Sequence, residues 1–494
     1  MGLLRYSFSF SVGTLLSRVF GYVRDAVIAY HFGASYVTDA FFVAFRLPNT
    51  FRRLLGEGGF NAAFIPVYAR EIKEGRERDF LSSTFTYFTL ISFVITLLGV
   101  VFSEVILSVL SPGLRHRPYF DLAVFMARWL FLYFLAVSLS SFFMAVLNTR
   151  GVFFVPAFAQ AVFNIVSSFI LAFATHLWGY YTLIVSTLVA GLAQVLFHLP
   201  SLLSQKVPLG VSFHLDKDVI LLVKRLLPAT AGFGVAQLSM FVDTFLASFL
   251  HQGSISYLYY ANRIFQLPLG VVSVGVANSL LSVLSRGGHI KNNTTLAVSV
   301  ILGLSLPSAV GLLLLAEPIV SLLYGRGRFS SQDVIVASHV LMAYSLGLVF
   351  FSVQKAISSV FFARGDTKTP VMASLLAVMS EGIFGYLYAF HLKLGVVGLA
   401  LGNATSSLFA IGYLLAKDHT MIHWKTLAGV VIRCGVASAV MGYVAHTLAK
   451  NLPHPALVFV IPFCAFLYMV LVLLLFPEIL RSLRKRFVEK LSNP

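Results

Sequence analysis

The chain has 494 residues, 58% hydrophobic and only 11% charged, with a mean hydropathy of +0.87 and a formal net charge of +17. A soluble domain carries about 25% charged residues, so the composition excludes one. Apolar runs of roughly 20 residues recur from end to end, long enough to cross a hydrocarbon core as helices and too long for the alternating strands of a barrel. The expectation is an all-α polytopic membrane protein.

Fourteen spans are expected in chain order, near 7–30, 36–60, 82–110, 121–147, 153–176, 179–203, 219–250, 255–284, 294–316, 332–362, 370–391, 395–416, 425–447 and 456–476. The first apolar segment is too long for a cleavable signal peptide, and no small-residue cleavage site follows it. With both termini in the cytoplasm, inside segments hold 21 Lys and Arg, including Arg70, Lys73, Arg76 and Arg78, whereas outside loops hold 6, among them Arg115, Arg117, Arg326 and Arg328. That asymmetry obeys the positive-inside rule. Most of the +17 is therefore topology, and no nucleic-acid partner is expected. The tail 478–494 places Ile479, Leu480, Leu483, Phe487 and Leu491 on one helical side with cations elsewhere. It reads as an amphipathic helix on the anionic cytoplasmic leaflet, or a solvated basic tail. Cys434 and Cys464 sit in apolar runs and suit packing.

The sequence repeats itself. ARGDTKTPV (363–371) echoes TRGVFFVPA (149–157), and HQGSISYLYYANRIFQLP (251–268) echoes HFGASYVTDAFFVAFRLP (31–48). The offsets differ by one short indel, so each repeat covers six spans in the same orientation. The domains expected are an N-terminal lobe (1–204), a C-terminal lobe (205–418), two extra helices (419–477) and the basic tail (478–494). Two six-helix lobes in a pseudo-twofold arrangement are a transporter plan, with alternating access as the mechanism.

Charges at membrane depth cost about 2.5–3.5 kcal/mol each even on a lenient scale, and mark function. Apart from Lys224, Arg225 and Lys425, which lie at span ends and are counted as inside, nine cations fall within the spans: Arg18, Arg24, Arg46, Arg52, Arg53, Arg128, Arg263, Lys355 and Arg433. Five of them crowd spans 1 and 2. Ser17 and Arg24 are seven apart, as are Arg18 and Asp25, so each pair shares a helical face. Asp39, Arg46 and Arg53 form a second such series, with Glu57 a turn further on. Asp25, Asp39 and Glu57 can offset only some of these cations. Arg46, Arg53, Arg128 and Arg433 read as snorkelling or paired. Arg18, Arg24, Arg52 and Arg263 read as functional, because Arg suits bidentate recognition of phosphate. An Arg excess around a central cavity implies an anionic substrate such as a diphosphate. Asp243 and Glu381 are isolated acids in apolar runs, suited to a coupling Na⁺ or proton, or simply hydrogen-bonded. No Walker loop, dinucleotide glycine pattern, nucleophile elbow or HExxH spacing is present, so neither a catalytic reading nor a bound cofactor has support.

The segments SRVFGYVRDAVIAYHFGAS (17–35), TDAFFVAFRLPN (38–49), FRRLLGEGGFNAAFIPV (51–67), SYLYYANRIFQLPLGV (256–271) and ARGDTKTPV resemble the MurJ (MviN) family of lipid II flippases, in the multidrug/oligosaccharidyl-lipid/polysaccharide exporter superfamily. The resemblance implies two six-helix lobes around a cationic cavity, plus two C-terminal helices forming a groove for the lipid tail. It implies flipping of undecaprenyl-pyrophosphate-MurNAc-pentapeptide-GlcNAc from the inner to the outer leaflet of the bacterial cytoplasmic membrane during peptidoglycan synthesis. The family's essential cavity arginines fall on Arg18, Arg24, Arg52 and Arg263, and an important acid on Asp39; Ser17 and Asp25 join the substrate-binding set. Asn262 stands where the family often carries Asp. A sodium site in some members draws on acids of spans 7 and 11; Asp243 matches the first, whereas Glu381 lies one turn from the second, with Gly385 at that place. A monomer is expected, with the cell-wall synthesis machinery as its neighbour and the membrane potential as its energy source. The rivals are a flippase for another polyprenyl-linked oligosaccharide of the O-antigen type, a drug/cation antiporter, which would want an acidic cavity, and a non-transporting scaffold.

Overall fold

The computed structural model describes residues 2–56, 59–214, 217–452 and 456–476. Among these residues every regular element is helical. Ten of the helices are long and apolar enough to cross a membrane. The basic tail 478–494 and Glu57 lie outside the described residues.

The chain forms two compact units. The first comprises Met1–Ser256 together with Arg326–Phe329. Its helices are α1 (Gly2–Phe32), α2 (Tyr36–Gly56), α3 (Gly59–Lys73), α4 (Glu77–Val101), α5 (Ser103–Leu110), α6 (Phe120–Thr149), α7 (Phe154–Trp178), α8 (Tyr181–Ser204) and α9 (Lys217–Ala247). Helix α6 is the axis of this unit: 72% of its apolar window is buried, against 28% for α4. Alternation of Phe and small residues along α6 lets α2, α4 and α8 pack on it. Toward its C-terminal end Phe142 meets Phe60, Phe64, Phe85 and Phe88 at centroid separations of 5.4–5.9 Å. Such tilted contacts add to the burial of large rings.

Helix α9 opens the second sequence repeat, yet it packs on α2, α3, α4 and α5. Polar contacts along its length explain this. At its N-terminal end Asp218 pairs with Arg70 and Arg76. Further along, Arg46 Nη1 donates to the Met240 carbonyl at 2.5 Å. At the far end the Gly113 amide donates to Ser248 Oγ at 3.0 Å and Arg117 donates to the Leu250 carbonyl at 3.1 Å. The repeat boundary near 204 therefore follows sequence, whereas the packing boundary falls at Ser256.

The second unit comprises Tyr257–Gly325 and Ser330–Pro494. It holds most of α10 (Ser254–Pro268), then α11 (Val274–Ser285), α12 (Ile290–Leu314), α13 (Ala316–Tyr324), α14 (Ser331–Ala363), α15 (Lys368–Tyr386), α16 (Gly395–Lys417), α17 (Trp424–Asn451) and α18 (Leu457–Leu475). A π turn over Leu269–Ser273 joins α10 to α11, and another, Leu387–His391, follows α15. Helix α14 is central here as α6 is in the first unit. Ser330 and Asp333 form a reciprocal capping box at its start, the expected device for closing exposed N–H groups. The extra pair attaches through α17 to α12: Gly442 abuts Val310, and Tyr468 of α18 donates to the Gly303 carbonyl at 2.5 Å. Cys434 and Cys464 are free thiols buried in this packing.

The internal repeat is visible in backbone conformation. Gly151 and Gly365 both end helices with φ near +80° (81° and 79°), and Gly33 and Gly253 are likewise left-handed (63° and 89°). Only glycine adopts this region without strain. Each pair occupies equivalent places in the two echoing motifs.

Candidate anion-binding site

Helix α1 carries Ser17, Arg18, Arg24 and Asp25, and its placement depends on α7. Gly13 lies so close to α7 that an added Cβ would sit 2.7 Å from Ala157 Cβ. Four residues on, Asn164 Nδ2 donates to the Ser17 carbonyl at 3.0 Å. Small residues at the crossing allow close backbone approach, and a side-chain amide adds an interhelical hydrogen bond, as membrane helices favour.

Arg24 is 9% exposed and Asp25 wholly buried. Arg24 Nε and Nη2 both donate to Asp25 Oδ1, at 3.2 and 2.8 Å. The Arg24 guanidinium also lies over two rings, 5.7 Å from the centroid of Phe163 on α7 and 6.0 Å from that of Phe45 on α2. The seven-residue spacing grouped Arg18 with Asp25 on one face; the ion pair instead joins chain neighbours. The long Arg24 side chain curls back around the helix, which an analysis of Cβ directions misses. Arg18 is half-buried, and no hydrogen bond or ion pair joins it to a described residue. Of these two guanidinium groups, Arg24 is thus held by a carboxylate, whereas Arg18 meets none among the described residues.

Asp39 is placed otherwise. Its carboxylate was expected to offset arginines of spans 1 and 2. Instead Oδ2 accepts from the Gly253 amide at 2.6 Å, and Oδ1 accepts from the Ser256 amide at 2.9 Å and from Ser256 Oγ at 2.7 Å. These are unpaired donors of the first turn of α10, where a carboxylate is favoured by orphan N–H groups and helix dipole together. Thr38 Oγ1 lies 2.8 Å from Ser256 Oγ and within 3.1 Å of the Gly33 and Ser35 carbonyls, which ties the cluster to the start of α2.

The remaining sequence candidates are dispersed. Arg52 is on α2, its side chain outside the described residues. Arg263 is on α10 in the second unit and half-buried, one turn from buried Tyr260. Asp243 is buried on α9 in the first unit. Glu381 is buried on α15 in the second, where it accepts from Asn403 Nδ2 of α16 at 2.5 Å. Of the cations read as snorkelling or paired, Arg46 is held by Met240, Arg128 is exposed, and Arg433 lies over Phe476 at 5.0 Å. Among the described residues no three His, Cys, Asp or Glu side chains converge as a metal site. A cavity of about 270 Å³ lined by Leu132, Tyr133, Ala136, Leu188, Val189 and Leu192 belongs to the α6–α8 face. None of its lining residues is charged.

Sequence reasoning missed Phe45, Phe163 and Asn164. The signal available for Asn164 was a lone amide inside an apolar span; two phenylalanines among 47 carried none.

A family model described as lipid II flippase MurJ matches residues 28–467. The chain is 40% identical over 475 residues to a probable lipid II flippase MurJ of Aquifex aeolicus, covering 96% of this chain and 95% of that one. A probable lipid II flippase MurJ of Vibrio cholerae is 32% identical over 465 residues, covering 89% and 88%. A solved lipid II flippase MurJ in an inward closed conformation superposes with a TM-score of 0.83 at 28% identity, covering 95% of this chain and 99% of that one. An inward-facing multidrug resistance MATE transporter of the MOP superfamily superposes with a TM-score of 0.70 at 15% identity, covering 82% and 94%, and shares the fold. The chain belongs to the MurJ family of lipid II flippases.

Proposed function

We propose that this flippase carries the pyrophosphate head of lipid II on Arg18, Arg24, Arg52 and Arg263, moving it from the inner to the outer leaflet of the bacterial cytoplasmic membrane by alternating access. The observation supporting this most strongly is the Arg18–Arg24 pair on α1, with Arg24 held by Asp25 and Arg18 meeting no carboxylate among the described residues. Guanidinium matches phosphate geometry and is less costly to desolvate than ammonium. Ser17 is a neutral donor on the same face, and Asp25 orients Arg24. Asp39, on this reading, holds α10 rather than touching substrate. The undecaprenyl tail stays in lipid, with α17 and α18 as its groove. Both termini are cytoplasmic, the working unit is a monomer, and the cell-wall synthesis machinery is its neighbour.

An inside-negative potential drives an anion outward by about 2.3 kcal/mol per charge per 100 mV and returns the emptied cationic site. We take the potential as the energy source, with Asp243 and Glu381 as the acids through which Na⁺ or a proton would couple. Flipping of fluorescent lipid II in proteoliposomes tests this. A potassium–valinomycin potential, inside negative for the cytoplasmic face, is expected to accelerate flipping without a Na⁺ gradient. Flipping indifferent to potential but dependent on Na⁺ would overturn the potential as driver.

A further inference from the structure

Arg24 is gripped in two different ways. Asp25 takes its in-plane edge through Nε and Nη2. Its Cζ also lies over the rings of Phe163 and Phe45, at 5.7 and 6.0 Å from their centroids, within the range of a cation–π contact. The two rings belong to a continuous wall. Phe45 stacks on Tyr133 at 5.7 Å, and Tyr133 meets Phe163 at 5.2 Å. All three are buried, and Gly191 of α8 leaves Tyr133 its room, since a Cβ there would approach the ring to 2.6 Å. The wall therefore draws on α2, α6 and α7 and has little freedom to shift.

The chemistry of the two grips differs in what it leaves for a ligand. A carboxylate competes with phosphate for the same N–H donors. An aromatic face binds the cation through its quadrupole and consumes none of them. A guanidinium seated over buried rings is held in place without a second acceptor taking its donors. We propose that Phe163, with Phe45 beside it in the same wall, is a positioning residue for substrate recognition, holding the Arg24 guanidinium where it meets the lipid-linked diphosphate. This rests on the reading of Arg24 as a phosphate ligand. Asn164 serves the same end by fixing α1 against α7 one residue away, through the Ser17 carbonyl.

The test uses the full chain in lipid nanodiscs, with lipid II binding measured by titration. Phe163 is replaced by 4-fluoro-, 3,5-difluoro- and 3,4,5-trifluorophenylalanine, which keep the ring's shape while draining its negative face. Affinity is expected to fall stepwise with fluorine number, and Phe163→Leu to weaken binding about five- to thirtyfold with an unchanged unfolding midpoint. Should Phe163→Leu not fold, the fluorinated series carries the test alone. Arg24→Ala is measured alongside. If Arg24→Ala abolishes binding while the fluorinated series binds like wild type, the positioning role is wrong and the arginine site stands. If Arg24→Ala itself binds normally, the phosphate site is wrong, and the positioning role falls with it.

Discussion

Asp39→Asn separates a structural carboxylate from a substrate contact. In the folded protein the two oxygens of Asp39 satisfy three donors of the α10 start, at 2.6–2.9 Å. An amide of the same shape keeps one acceptor. Whichever way it turns, its NH₂ faces a backbone N–H, of Gly253 or of Ser256. The variant thus loses a charge-assisted hydrogen bond, about 1.5–3 kcal/mol, and leaves one buried amide unmet, about 1–3 kcal/mol more. Loss of the carboxylate–dipole attraction acts in the same direction. The combined cost is about 3–5 kcal/mol, and it falls on local opening of 253–256 before global unfolding. Hydrogen exchange at the Gly253 and Ser256 amides should therefore quicken by about a hundredfold to several thousandfold, each 1.4 kcal/mol being about tenfold. Thr38→Val, which removes only the hydroxyl beneath Ser256, should give a smaller effect in the same peptide. Unchanged exchange at 253–256 combined with a tenfold loss of lipid II affinity would refute the reasoning and make Asp39 a substrate contact.

Three further outcomes are expected. His31, just past the first expected span, has its pKa held below its usual 6.5 by burial first, then by Arg328 and His176. A depressed histidine favours the neutral form, so its contribution is complete above pH 6.5 and is lost as the pH falls below it. The Arg328 amide, which donates to the Tyr30 carbonyl at 2.8 Å, should exchange faster at pH 5 than at pH 7.5 after intrinsic-rate correction, and His31→Gln should erase the difference. Glu71 is fully buried and accepts from Arg70 and Arg76, whose side chains are about half exposed. After discounting for screening, Glu71→Gln should cost about 1 kcal/mol of denaturant stability at low salt, and less at 0.5 M; an equal loss at both salts would argue against an electrostatic clasp on α9. Gly13→Ala drives a methyl to 2.7 Å from Ala157 and should destabilise the α1–α7 crossing by about 1–3 kcal/mol, seen as a lower unfolding midpoint.

The helical segments were legible because a span needs about 20 apolar residues whatever it packs against. The break of span 3 after Val101 and the separate short helix α5 were not, since no Gly or Pro marks the step at Phe102. Arg18, Arg24 and Asp25 could be singled out because charge at membrane depth is costly enough to need a reason. Their pairing could not, because it depends on how far a flexible side chain reaches. Asp39 was read as a counter-charge for arginines 7 and 14 residues on; its partners proved to be amides more than 200 residues away, which no local spacing encodes. The allegiance of α9 was hidden for the same reason: the repeat assigns it to the second lobe, whereas Arg46, Asp218 and Ser248 tie it to the first unit. Phe45 and Phe163 are ordinary apolar residues until a guanidinium lies over them.

The central claim is that arginines at membrane depth receive the pyrophosphate of lipid II. Complementation of a flippase-depleted bacterium tests it most directly, with membrane levels of each variant confirmed. Wild type should restore growth and rod shape, while Arg18→Ala, Arg24→Ala, Arg52→Ala and Arg263→Ala, present at equal levels, should fail. Full rescue by all four variants would contradict it.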